Sequence, residues 1–95
     1  MTRPKVDAGP ADEFAPAGET LTDYDRLHLI TYLMLLDAVR DGAPREACAR
    51  EILRIDPDRE PERARHAYDS HLARARWMTE TGYHLLKDDP ALKPF

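Results

Sequence analysis

Large apolar residues become frequent only from Leu21 onward, and there they recur at three and four residues, the period of a helix. The densest stretch, Leu29 to Leu36, is apolar or aromatic at seven of its eight positions, and no alternating run suggests a strand. Thr22, with Asp25 three positions on, forms a T-x-x-D helix start in which hydroxyl and carboxylate can serve orphan amides. A first helix is therefore predicted from about Asp23 to Asp41. Gly42 suits the positive φ needed just past its end, and Pro44 suits the first turn of a second helix running to about Leu53. The Asp56-Pro57-Asp58 break is followed by Pro61, which opens a third helix to about Thr81, before Gly82. Tyr83 is placed to contact Met78, and a short final turn is expected through Leu86.

On the third helix Ala64, Ala67, Tyr68, His71, Leu72, Ala75, Met78 and Thr79 share one face, which is read as the core side. Its alanines imply close approach of a neighbouring helix. Trp77 falls almost opposite, beside His66, Ser70 and Ala73, with Arg63 and Arg74 next to them. It is either a binding anchor or a side chain covered by helix one or by Leu92 and Phe95. The first helix carries two stripes on roughly opposite sides, Leu27/Ile30/Met34/Ala38 and Leu29/Tyr32/Leu33/Leu36. Both are buried if the helix is central; otherwise one stays partly exposed, with Tyr32 and Leu29 at its edge, as a partner or dimer surface.

Composition narrows the reading to a small all-α, three-helix domain over residues 21–87. A flexible tail is expected at 1–20, where Val6 and Phe14 are the only large apolar residues, and a loose tail at 88–95. No stretch approaches a signal peptide or a membrane span, so a cytoplasmic protein is expected. The single cysteine, Cys48, sits among alanines and reads as a buried small side chain. Net charge is -4, and the only basic segment, 61–78, still contains Glu62 and Asp69.

No catalytic constellation is visible. The four histidines include no i, i+4 pair, none is near Cys48, and there is no Gly-rich phosphate loop or nucleophile elbow. An enzyme, a cofactor and a metal site are therefore not expected, and His71, on the apolar stripe, reads as a hydrogen-bonded core residue. The span Ala43 to Trp77 reads as a variant helix-turn-helix with a long connection, Arg54 to Glu60. Arg59, Arg63, Arg65, Arg74 and Arg76 could meet phosphates, but Glu60, Glu62 and Asp69 would face the same polyanion, so DNA binding should be weak or absent.

Several segments together resemble a known family: Asp23-Tyr-Asp-Arg-Leu-His-Leu29, Tyr32-Leu-Met-Leu-Leu-Asp37, Gly42-Ala43, Ile55-Asp-Pro57, Glu60-Pro-Glu-Arg-Ala-Arg65, and Asp69-Ser-His-Leu-Ala-Arg-Ala-Arg-Trp-Met78 with Gly82-Tyr83. This is the proteobacterial helix-turn-helix-variant family, formerly a domain of unknown function, found in regulators of integrative and conjugative element transfer. The short, acidic, stand-alone form is similar to the family's antiactivators. The resemblance spans about Asp23 to Leu86. It implies an antiactivator that represses conjugative transfer by binding two partners, a LuxR-type quorum-sensing regulator and a transcriptional activator carrying the same domain. Combined with the helix geometry, it makes Trp77, Arg74, Arg63, Tyr32 and Leu29 the candidate protein-binding residues. The alternatives are a DNA-binding regulator using the third helix, and a homodimer formed through helix one.

Overall fold

A computed structural model of the chain describes residues 10–82. It has an all-α fold, with no strand among the described residues: α1 (Asp23–Leu27), α2 (Leu29–Arg40), α3 (Arg45–Cys48) continuing into a π-helical turn (Ala49–Leu53), and α4 (Pro61–Trp77) continuing into a second (Met78–Gly82). Tyr83, the turn through Leu86 and the stretch 88–95 lie outside the described residues.

The local signals act as expected. Thr22 and Asp25 form a full capping box at the start of α1. Gly42 has φ 82; its N–H reaches the Val39 carbonyl while that of Ala43 reaches the Ala38 carbonyl, the paired bonds of a Schellman ending. Pro61 occupies the first turn of α4. Two predicted boundaries change. The first helix divides at His28, whose φ of -105 and ψ of 22 interrupt it, although His28 and Tyr32 keep their i→i-4 bonds, so α1 and α2 are nearly one helix. The second predicted helix keeps only one α-helical turn before the π-helical turn, which ends at Arg54 in the left-handed region, φ 63.

α2 and the π-helical turn after α3 pack on the alanine face of α4. Leu35, Cys48, Ala49, Leu53, Ile55, Ala64 and Ala67 are all buried together, and the small α4 side chains let Leu35 and Leu53 approach its backbone. A second cluster, Tyr32, Ala75 and Met78, closes the other end, edged by Leu21, Leu29, Leu36 and Trp77. Cys48 is buried, as read from the sequence.

The expected tail is corrected over residues 10–20. Ala11 belongs to the main core cluster and donates its N–H to the Leu53 carbonyl at 2.9 Å; Ala15 donates to the Ser70 hydroxyl at 3.0 Å. Glu13 and His66 are 2.7 Å apart, and the Phe14 ring stacks on His66 with centroids at 5.0 Å. Small residues at positions 11 and 15 let an extended chain lie close on α4, and long-range partners for its amides replace the large apolar side chains it lacks.

Candidate protein-binding site

The capping carboxylate of Asp25 does more than start α1. It is fully buried and faces Arg74, which donates from Nε to Oδ1 at 2.9 Å and from Nη2 to Oδ2 at 2.7 Å. Tyr32 donates its hydroxyl to Oδ1 at 2.7 Å, and the Thr22 backbone N–H donates to Oδ2 at 2.9 Å. The rest of the Arg74 guanidinium is taken by the carbonyls of Gly18 and Thr20, while its plane lies over the Trp77 ring, 3.9 Å from the centroid. Burial pushes the Asp25 carboxyl up, but hydrogen bonds from Arg74, Thr22 and Tyr32 outweigh it and hold it below the usual 3.8. Among the described residues every buried side-chain nitrogen or oxygen has a partner.

These contacts relocate the residues proposed from the sequence. Arg74 is 3% exposed and fully engaged inside the molecule, so it is a structural centre and not a surface contact. Tyr32 is 2% exposed and likewise interior, because its hydroxyl is drawn to Asp25. Trp77 is half-buried, covered by Arg74 and facing the segment Ala15–Glu19 across a cleft. Leu29 is half-buried at the edge of the second cluster. Arg63 alone stays exposed, 3.5 Å from Glu60. On the outer face of α4, His66, Ser70 and Arg74 are thus met by the chain's own residues 13–20, while Arg63 and Ala73 stay exposed.

A second buried polar chain runs alongside. His71 Nδ1 lies 2.7 Å from the Ala67 carbonyl, which can only accept, so Nδ1 carries the proton and Nε2 accepts from the Tyr24 hydroxyl at 2.6 Å. Tyr24 in turn accepts from the Asp12 N–H at 3.0 Å and stacks on His28, centroids 4.0 Å apart. This matches the expected core role of His71. Burial pushes both His28 and His71 below the ordinary 6.5. A histidine held neutral contributes its full stability above its unfolded pKa, and that contribution is lost as pH falls from there through the depressed folded value. Urea midpoints are therefore expected to decline from about pH 6.5 downward, and His71→Gln should flatten the decline. A midpoint level between pH 7 and pH 5 would contradict it.

The surface available to another molecule lies on the other side of the first helix pair. Leu27, Ile30, Leu33 and Met34 are 57%, 53%, 56% and 47% exposed. Leu33 also borders a cleft of about 250 Å³ between α2 and α4, lined by Leu29, Leu36, Ala75 and Met78 among others. Face and cleft form one continuous apolar surface. No family model matches this sequence, and no curated protein does either. The site therefore rests on its own geometry. Of the surface expected at Leu29 and Tyr32, the Asp25 carboxylate takes the Tyr32 hydroxyl inward, and the exposed face joins Leu27, Ile30 and Met34 of one predicted stripe to Leu33 of the other.

Of the five arginines considered for phosphate contact, Arg59 and Arg76 are exposed, while the other three are engaged within the chain. Arg74 is buried, Arg63 lies beside Glu60, and Arg65 is 3.8 Å from Glu62. Among the described residues no helix is long and apolar enough to cross a membrane.

Proposed function

We propose that this chain is a cytoplasmic protein-binding regulator, an antiactivator that holds a LuxR-type quorum-sensing regulator or a same-family transcriptional activator inactive and so represses transfer of an integrative and conjugative element. The observation that supports it best is the exposed apolar face of α1 and α2 with its adjoining cleft, a surface suited to an amphipathic helix of a protein partner. The resemblance supplies the partner class. Acidic net charge and the internal pairing of Arg63, Arg65 and Arg74 favour protein over DNA as the target. Docking is assigned to Ile30, Leu33 and Met34, with Leu29 at the cleft edge.

The test is co-purification of the tagged chain with the LuxR-type regulator, with and without its acyl-homoserine lactone, beside a gel shift on promoter DNA. A complex without shifted DNA is expected. Ile30→Glu should weaken it at least ~10-fold while leaving helicity unchanged, as for a central interface residue, and Arg63→Ala should change it by less than about 2-fold. Shifted DNA with no complex would make the chain a DNA-binding regulator and end this reading.

A further inference from the structure

The charges around the exposed face of α1 and α2 are ordered in a way that fits a second copy of the same chain. Advancing 100° per residue from Asp23 to Arg40 places Leu27, Ile30, Leu33 and Met34 within an arc of roughly 140°, together with two acid–base pairs. Asp23 and Arg26 lie 2.8 Å apart at the beginning of this face, and Asp37 and Arg40 lie 3.2 Å apart at its end. Both pairs run acid first, then base. All four side chains reach solvent, Asp23 completely and Arg26 least, at 30%.

An isologous interface brings the same patch of two copies together, so its pattern must complement itself under a two-fold rotation. Two copies of α1–α2 side by side in parallel would oppose Asp23 to Asp23 and Arg40 to Arg40. Laid antiparallel, with Ile30 of one copy against Leu33 of the other, they oppose Asp23 to Arg40 and Arg26 to Asp37 at both ends, while the four apolar residues meet in the middle. Four roughly half-exposed large side chains make an apolar patch on the order of a few hundred Å² per copy, below the ~800 Å² per partner of a standard interface.

We infer that the free protein pairs through this face as an antiparallel α1–α2 homodimer. The dimer dissociates in the micromolar range, as a small interface of this kind permits. A second copy and an activator then compete for one surface, and the concentration of the chain sets how much of the face is available.

Sedimentation velocity on the full chain tests this without any activator, so failure here leaves the functional reading standing. The average mass is expected to rise from 10.9 kDa toward twice that value across the micromolar range. Ile30→Glu should raise the midpoint concentration at least ~10-fold with an unchanged circular dichroism spectrum. Asp23→Arg and Arg40→Asp should each weaken self-association, because each sets like charges together at both ends of an antiparallel pair but would leave a parallel pair no worse, and mixing the two variants should restore it by setting the new arginine against the new aspartate. A mass fixed at that of the monomer, or a dimer indifferent to Ile30→Glu, overturns the pairing. A mixture no stronger than its components overturns the antiparallel register.

Discussion

Asp25→Ala is expected to cost about 3–5 kcal/mol, the range for removing one partner of a buried ion pair. The cause is the position of Arg74, which is 3% exposed and would keep a guanidinium inside the molecule with only the carbonyls of Gly18 and Thr20 to receive it. Tyr32 and Thr22 would lose their shared acceptor at the same time, and α1 its capping carboxylate. A domain of this size has a total stability of only about 5 kcal/mol or somewhat more, so urea denaturation followed by circular dichroism should find much of the variant unfolded in buffer. Tyr32→Phe removes one donor and leaves the pair intact, and should cost about 1 kcal/mol. The double variant Asp25→Leu with Arg74→Met should recover most of the loss, since apolar replacement of both charges removes the desolvation penalty with the attraction. An Asp25→Ala loss below about 1 kcal/mol would show that the pair is not buried as described.

The second large effect is expected from a chain that begins at Thr20. Its loss removes the Ala11–Leu53 and Ala15–Ser70 hydrogen bonds, the buried Ala11 side chain and the Gly18 carbonyl bound to Arg74. At about 1 kcal/mol for each hydrogen bond, with a further contribution from apolar burial, the cost is roughly 3 kcal/mol. Trp77 faces the removed segment, so its fluorescence should shift to the red in the folded truncated protein. Unchanged stability and emission would mean that residues 10–19 do not pack on α4 in solution. The same truncation uncovers the outer face of α4, where docking was expected from the sequence. Activator affinity that is unaltered in the truncated chain, but lost with Ile30→Glu, would separate the two faces directly.

The helix starts and stops were legible because each depends on groups within a few residues. The Thr22/Asp25 box, the positive φ at Gly42 and the proline opening α4 are short-range geometry, and the sequence alone was enough to find them. Periodicity similarly determined the core face of α4, including His71, since 3.6 residues per turn leaves one arrangement for that stripe. Division of the first helix at His28 was not legible, because nothing in its local composition demands it.

The location of the proposed docking surface was decided by tertiary structure. A helical wheel places Arg74 beside Trp77 on the outer face, but a guanidinium on a long stem follows its best partner, and that partner is a carboxylate 49 residues earlier in the chain. Tyr32 likewise turns inward for the same carboxylate, leaving Ile30, Leu33 and Met34 to solvent. Residues 10–20 have the composition of a tail and still pack, because their stability comes from hydrogen bonds spanning more than fifty residues and from two buried alanines, which a local reading does not register. Sequence determined which segments form helices and which stripe makes the core. Packing around one buried aspartate determined which of the remaining apolar residues face outward.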